Sequence, residues 1–237
     1  MSILSKICSN LWVLRSLPKT IYFNFRVLPF SQAIKLPIWL YKPHFGSLSG
    51  KVVLNESNIR PGIIRLGKNQ VSLYPNSGIF LDIRGRLLFM GGAEIGNNSA
   101  ITVSETGTIE FGINFRAFTT IKIACYHSIK FGEDVLVGWD CLFMDTDFHS
   151  LTRNDGTKTK GFAPINIGNS VWFGCGCKVF KRTIIPDQCV VSTQTIISEK
   201  VLVAPRTIIG NDCSIVSKAE GYYHDPINDT IEYSITK

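Results

Sequence analysis

A repeat of six residues runs through the C-terminal half of this 237-residue chain and constrains its fold more than any other feature. Neither an α-helix nor a hairpin sheet has a period of six. Counting in sixes gives nine apolar residues without a break: Ile167, Phe173, Val179, Ile185, Val191, Ile197, Val203, Ile209 and Ile215. Four residues after each of the first eight stands a small or β-branched residue: Val171, Cys177, Thr183, Cys189, Thr195, Val201, Thr207 and Cys213.

This pattern predicts an all-β parallel β-helix built from hexapeptides. Each six residues form one short strand and a corner, and three such faces close a triangular coil. The apolar residue points inward and stacks on its equivalent about 18 residues along the chain, while the small residue fits the corner. An irregular all-β domain with accidental spacing is the alternative, and the length of the run disfavours it.

The repeat continues upstream of Ile167, but one segment interrupts it. The same register begins at Ile95 and passes through Ile101, Ile113, Phe131, Val137 and Phe143. It would then place His149, Asp155 and Gly161 in the interior, and none of these can fill an apolar core. We therefore predict a loop extruded from one corner over residues 144–166. Loops of this length are usually functional or disordered.

The chain is predicted to have three parts: a basic, aromatic cap region at 1–47, the β-helix at 48–218 and a tail at 219–237. Residues 1–47 contain no run of about 18 apolar residues that could span a membrane, and no secretory signal is recognisable. Four prolines, at positions 18, 29, 37 and 43, should divide the region into short helices or extended pieces. One interpretation is a cap over the open end of the coil. The other is a surface that rests on a membrane interface.

Composition narrows the partners. The net charge of +7 favours an anionic partner, which is a nucleic acid, a phosphate-bearing cofactor or a membrane surface. No phosphate-binding loop sequence and no helical basic stripe occurs, so a nucleic-acid partner is not expected. The seven cysteines are an odd number and mostly occupy repeat positions, which is typical of small core residues in a reducing, cytoplasmic compartment. The isolated Cys175-Gly176-Cys177 does not predict a metal site.

Two segments add a resemblance to the repeat. They are Asp145-Thr146-Asp147-Phe148-His149 at the loop entry and Pro164-Ile165-Asn166-Ile167-Gly168-Asn169-Ser170-Val171-Trp172-Phe173-Gly174 after it. Over about 95–215 the chain resembles the left-handed β-helix acyltransferases, in the bacterial branch that includes maltose, galactoside and surface-polysaccharide O-acetyltransferases. The resemblance implies a left-handed parallel β-helix that transfers an acetyl group from acetyl-CoA to a saccharide hydroxyl without a metal. It also implies a homotrimer whose active sites lie between neighbouring subunits.

The resemblance assigns His149 as the general base. The chemistry requires such a group, because a sugar hydroxyl must lose its proton as it attacks the thioester, and imidazole suits neutral pH. Either Asp145 or Asp147 would hold the imidazole tautomer, or each is a turn residue with its carboxylate in water. No nucleophile elbow is present, so direct transfer is favoured over an acyl-enzyme.

The other matched positions concern acceptor and donor. Asp140 falls where relatives bind the acceptor sugar, with a corner-capping carboxylate as the alternative. The expected acetyl-CoA residues are Trp172, Gly174, Cys175, Gly176, Thr193, Lys200 and Arg206. Trp172 would line the donor channel near the acceptor, the glycines would admit the pantetheine arm, and the two basic residues would meet the phosphates. The alternatives are outer packing for Trp172 and solvated charges for Lys200 and Arg206.

Departures from the family pattern keep other functions open. Gln194 replaces a usual glycine, Glu199 takes a usual lysine position, and Gly210-Asn211-Asp212-Cys213 lacks the usual proline. These changes motivate a non-catalytic scaffold as one alternative. An N-acyltransferase acting on an amino-sugar nucleotide is a second. A β-helix carbonic anhydrase would need three histidines on zinc, whereas the repeat contains only His127 and His149. We expect the acceptor to be a surface-polysaccharide or lipid-linked precursor at the inner membrane face.

Overall fold

The computed structural model describes residues 3–211 and 225–226, with side chains from Arg15 onward. Two helices, α1 (Ile3–Val27) and α2 (Phe30–Ala33), precede 21 short strands. The predictions for Cys213, Ile215, His224, the last coil residues 212–218 and nearly all of the tail 219–237 lie outside the described residues.

The strands form three all-parallel sheets of eight, seven and six members. Sheet A contains β1 (Ile38–Leu40), β4 (Ile64–Lys68), β7 (Ala93–Gly96), β10 (Phe115–Ala117), β13 (Leu136–Val137), β16 (Trp172–Phe173), β19 (Val190–Val191) and β21 (Ile208–Ile209). Sheet B contains β2 (Pro43–Phe45), β5 (Ile79–Ile83), β8 (Ser99–Val103), β11 (Lys122–Cys125), β14 (Leu142–Met144), β17 (Lys178–Phe180) and β20 (Ile196–Ile197). Sheet C contains β3 (Lys51–Leu54), β6 (Arg86–Phe89), β9 (Thr108–Phe111), β12 (Ser128–Phe131), β15 (Ile165–Ile167) and β18 (Ile184–Ile185).

Successive strands belong to sheets A, B and C in turn, so three strands make one coil and each strand pairs with its equivalent one coil away. The predicted fold class, an all-β left-handed parallel β-helix with an N-terminal cap region and one extruded loop, is confirmed. We name the corners by the sheets they join. In the later coils the A/B corner is residues 138–141, 174–177 and 192–195, the B/C corner is residues 126–127, 145–164 and 181–183, and the C/A corner is residues 168–171, 186–189 and 204–207.

The core is a column of inward side chains along the coil axis. Phe89, Phe111 and Phe131 stack with ring centroids 5.2 and 5.4 Å apart, and the apolar hexad residues from Phe131 to Ile209 continue the interior. Burial of this column is the main source of stability of such a coil. The upstream register differs from the prediction at Ile113, which is exposed at a corner. The reason is coil length, since Phe111 pairs with Phe131 at a spacing of 20 residues, whereas Phe173 pairs with Val191 at 18.

Helix α1 covers the open edge of β1. The backbone N–H of Ile38 donates to Asn24 Oδ1 at 3.2 Å, and Asn24 Nδ2 donates to the carbonyl of Ile38 at 2.8 Å. The N–H of Leu40 donates to Thr20 Oγ1 at 3.3 Å. Side chains one helical turn apart therefore replace a missing neighbouring strand and satisfy groups that an exposed edge would leave unpaired.

Two details of the cap region differ from the sequence expectation. The coil begins at Ile38 in β1, ten residues before the boundary suggested at 47/48. Pro18 does not end a helix but lies inside the 25-residue α1. Because Pro18 is on the exposed side of α1, water can replace the hydrogen bond that it removes.

The extruded loop leaves the coil intact. β14 ends at Met144 and β15 begins at Ile165, yet β15 pairs directly with β12, with Ile129 opposite Ile165. The intervening residues fold back on themselves through antiparallel bridges, one of which joins Thr146 to Phe162. The loop is therefore a hairpin-like excursion from the B/C corner.

Candidate active site

His149 is exposed on the outgoing arm of the extruded loop. Just before it, the N–H of Asp147 donates to the carbonyl of Gly161 on the returning arm at 2.7 Å. A Cβ added at Gly161 would lie 2.7 Å from the carbonyl oxygen of His149, so only glycine permits this approach of the two arms. The imidazole thus stands beside a closed neck and faces solvent, where a substrate can reach it.

Asp145 is fully buried at the base of the loop. Its carboxylate accepts hydrogen bonds from the backbone N–H groups of Tyr126 at 2.7 Å, His127 at 2.8 Å and Ser128 at 2.7 Å. These residues form the B/C corner of the preceding coil. Of the two interpretations open from the sequence, Asp145 fits neither a solvated turn residue nor a group free to turn toward the imidazole. It clamps the loop to the coil below.

Asp147 pairs with Lys181, which lies in the B/C corner of the following coil. The lysine side chain is 18% exposed and the carboxylate 45%. The loop neck is thus held from below through Asp145 and from above through Lys181. Sequence reasoning missed Lys181, and the available signal was its place at the same corner as the loop, one coil later.

The returning arm of the loop carries an aromatic contact. The ring of Phe162 lies 5.1 Å from that of Tyr126 and 5.2 Å from the imidazole of His127, while Lys160 Nζ lies 4.6 Å from the Phe162 centroid. Tyr126 keeps an exposed face. The sequence gave no reason to select Tyr126, because nothing in the six-residue pattern marks a corner residue as a neighbour of the loop.

That face of Tyr126 opens into a groove of about 400 Å³ along the earlier B/C corners. Its remaining lining is polar apart from one valine: Asp82, Arg84, Thr102, Val103, Ser104, Glu105 and Thr106. The hydroxyls of Ser104 and Thr106 each donate to the carbonyl of Tyr126 at 2.9 Å, which fixes the corner. An aromatic face beside hydroxyl and carboxylate groups provides contacts for the apolar faces and the hydroxyls of a sugar.

Trp172 lies exposed on the outer face of sheet A, between the buried residues Val171 and Phe173. Sheet A is the side of the triangular coil opposite the B/C corner, from which the loop emerges. Within one chain, therefore, Trp172 and His149 face different directions. Cys175 is half-buried at the A/B corner, beyond the end of the same strand.

The two glycines beside Cys175 are required by the packing of successive coils. A Cβ at Gly174 would lie 2.7 Å from the backbone nitrogen of Thr193, and one at Gly176 would lie 2.4 Å from Gln194 Nε2. Gly176 has φ +73° and Gln194, one coil later, has φ +63°. The glutamine that replaces a usual glycine thus adopts the same left-handed corner conformation.

Asp140 occupies the equivalent A/B corner position one coil earlier, with φ +57°. It accepts a hydrogen bond from the hydroxyl of Tyr74, whose ring also meets Trp139 edge-on at 6.3 Å. The hydrogen bond to Asp140 raises the pKa of Tyr74 to about 12. Asp140 therefore ties a loop from an earlier coil to this corner.

The remaining donor candidates are spread around the coil. Thr193 is exposed at the A/B corner, Lys200 forms a bridge with Ile184 of sheet C, and Arg206 is exposed at the C/A corner, where its Nε donates to Gln188 Oε1 at 3.0 Å. One chain alone does not bring these residues together with His149. Within 3–211 and 225–226, no group of three or more His, Cys, Asp or Glu residues is placed to hold a metal ion.

The described cysteine thiols are free, and four of the five are buried. Burial raises the pKa of Cys125 and of Cys189 above the ordinary value of a thiol. A raised pKa lowers the fraction of thiolate, which is the nucleophilic form. These two side chains are core residues.

No protein-family model and no curated protein matches the sequence. Among solved structures, the chain is similar to the polySia-specific acetyltransferase NeuO, with 11% identity and a TM-score of 0.49 over 80% of this chain and 91% of that one. It is also similar to AntD, an N-acyltransferase from Bacillus cereus solved with dTDP and 3-hydroxybutyryl-CoA, with 13% identity and a TM-score of 0.34 over 80% and 87% of the two chains. At these identities and TM-scores, neither likeness assigns an activity.

Proposed function

We propose that this protein transfers an acetyl group from acetyl-CoA to a hydroxyl of a saccharide, with His149 as general base. The observation that carries the proposal is an exposed histidine beside the clamped neck of a loop that leaves the coil without disturbing it. A rigid scaffold that presents one long, anchored loop is a common way to position catalytic groups.

The proposed reaction is a direct transfer. The imidazole of His149 takes the proton of the attacking hydroxyl while its oxygen bonds to the thioester carbonyl carbon. Backbone N–H groups stabilise the resulting oxyanion. The carbon–sulfur bond then breaks, and the imidazolium returns the proton to the departing sulfur. The products are an acetyl ester and free coenzyme A.

Asp145 and Asp147 are proposed to act on this reaction through position. Asp145 holds the start of the loop, and Asp147 with Lys181 holds its neck. A displacement of about 1 Å at such a site is enough to lower catalysis strongly. Both carboxylates would therefore affect turnover by placing His149.

The acceptor is proposed to lie in the groove beside Tyr126, which is contiguous with the loop through Phe162. The polar lining and the exposed aromatic face suit a saccharide. We expect a precursor of a surface polysaccharide or lipopolysaccharide, handled in the cytoplasm, and the free thiols of the described cysteines are in keeping with a reducing compartment.

A homotrimer is proposed because one chain separates the predicted base from the predicted donor residues. With His149 at the B/C corner and Trp172 on the opposite face, a complete site needs the loop of one copy and sheet A of another. Closed rings formed from a repeated heterologous interface satisfy this requirement. Trp172, Gly174, Cys175, Gly176, Thr193, Lys200 and Arg206 would then belong to the neighbour's donor groove, near Asp140.

The activity is tested by thiol release from acetyl-CoA with a panel of sugars, polysaccharide precursors and amino-sugar nucleotides. We expect acceptor-dependent release that falls about 100-fold or more in His149→Ala. His44→Ala is the matched control, because His44 is an exposed histidine of β2, away from the loop, and should keep full activity. Reaction only with amino-sugar nucleotides would make the enzyme an N-acyltransferase. Silence of the wild type together with failure to bind coenzyme A would leave a non-catalytic scaffold.

The shared site is tested by mixing two inactive variants, His149→Ala and Trp172→Ala. If an interface combines His149 of one copy with Trp172 of the next, random assembly restores about a quarter of the sites. Activity that stays absent after dissociation and reassembly of the mixture would contradict the arrangement.

A further inference from the structure

The outward faces of α1 and α2 form an unusually apolar surface. On α1, Thr20, Phe23 and Asn24 face the coil and are fully buried, so the opposite side faces outward. That side shows these exposed residues: Ile21 40%, Tyr22 55%, Phe25 45%, and from the start of α2 onward Phe30 70% and Ile34 61%. We call these five residues the aromatic face. Phe25 and Phe30 meet edge-on at 5.8 Å, which joins the two helices into one surface.

The whole positive charge excess of the protein lies around this face. Residues 1–55 contain seven Lys and Arg and no Asp or Glu, whereas the remaining 182 residues contain 18 of each sign. The seven are Lys6, Arg15, Lys19, Arg26, Lys35, Lys42 and Lys51. Arg26 and Lys35 are exposed and immediately follow Phe25 and Ile34 in the chain.

Exposed aromatic and aliphatic residues bordered only by basic ones are characteristic of a helix that lies in the headgroup region of a membrane. A second copy of the chain is a poor occupant, because it would bring two strongly basic surfaces together. A nucleic acid would use the charges, but Ile21, Phe30 and Ile34 would gain no partner from its phosphates. The combination fits an anionic lipid surface.

We propose that the aromatic face docks the protein on the surface of a membrane that contains anionic phospholipids. The docking is peripheral, and no helix among the described residues is long and apolar enough to cross a bilayer. Because Thr20 and Asn24 fasten α1 to β1, the coil would be held close to the lipid surface by its N-terminal end. This inference is independent of the proposed activity and stands or falls separately.

The test is flotation of the full-length protein with vesicles of phosphatidylcholine alone or mixed with phosphatidylglycerol. We expect the wild type to float with the mixed vesicles and to be released by salt, which screens the attraction. The double variants Phe25→Glu/Phe30→Glu and Arg26→Glu/Lys35→Glu should each lower the bound fraction about 10-fold or more.

Matched controls carry the same changes elsewhere. Leu202→Glu replaces another exposed apolar residue and Lys122→Glu another exposed lysine, both on later coils, and both should bind like the wild type. Unchanged circular dichroism and melting temperature show that the variants fold. Absence of flotation, or equal flotation of all variants, overturns the proposal. So does a wild-type oligomer that Phe25→Glu/Phe30→Glu dissociates without lipid, since the face would then lie between copies.

Discussion

Lys181 donates its ammonium to the carboxylate of Asp147 and thereby joins the neck of the extruded loop to the coil above it. The pair is partly exposed, and such pairs contribute about 0–1 kcal/mol to stability. Its importance is therefore expected in the position of His149 rather than in the stability of the fold.

Replacing Lys181 by Met should lower kcat about 10-fold with little change in the melting temperature, because the loop loses its upper anchor. Lys181→Arg should restore most of the activity, and Asp147→Asn/Lys181→Met should be no worse than either single variant. Steady-state kinetics on the four proteins measures this. A loss of activity that follows a loss of folded protein would contradict a positioning role.

Asp145→Ala should destabilise the protein by about 3 kcal/mol or more, because three backbone N–H groups lose a charged acceptor at a buried site. Asp145→Asn keeps one acceptor oxygen and should cost less. Urea unfolding gives both values. Asp147→Asn, whose carboxylate is much more exposed, is the comparison, and a similar loss in the two asparagine variants would refute the clamp.

The Tyr74–Asp140 contact predicts a pH effect at high pH. A hydroxyl whose pKa is raised from 10.0 to about 12 contributes stability that is complete below pH 10 and is lost as the pH rises through 12. A tyrosinate absorbance titration should show this late step, and Asp140→Asn should move it back toward 10. Asp134→Asn serves as control, because Asp134 has the same left-handed corner conformation but accepts from Asn114. An unchanged titration in Asp140→Asn would refute the assignment.

Gly174→Ala should destabilise the coil by about 1–3 kcal/mol, because the added Cβ would lie 2.7 Å from the backbone of Thr193. Gly92→Ala is the matched control, since its Cβ would come no closer than 3.4 Å to any atom, and it should change stability by less than about 0.5 kcal/mol. Thermal unfolding separates the two. A Gly174→Ala protein of normal stability with a higher KM for acetyl-CoA would show instead that the glycine serves the donor.

The six-residue pattern predicted the coil well from Phe131 onward because each later coil has 18 residues and every inward position is apolar or small. It failed at Ile113 because the earlier coils have 20 or more residues. Extra corner residues lie outside the core and leave no trace in the spacing of apolar residues. The pattern also could not reveal that Pro18 lies within a long helix.

The candidate site was predictable only where chemistry lies within one stretch of sequence. His149 and its loop followed from the break in the register. Lys181 and Tyr126 did not, because each comes near the loop through the stacking of adjacent coils. Asp145 was recognised as important for the wrong kind of reason, since its partners are backbone groups that no side-chain motif records.

The helix that covers β1 also gives the coil a direction of growth during synthesis. α1 leaves the ribosome before β1, so the edge of the first strand is covered as soon as that strand forms. Later coils can then be added only at the C-terminal side, each on a finished template. A nascent chain built this way never offers its first strand to a neighbour on the same messenger RNA, where uncovered strand edges promote misassembly.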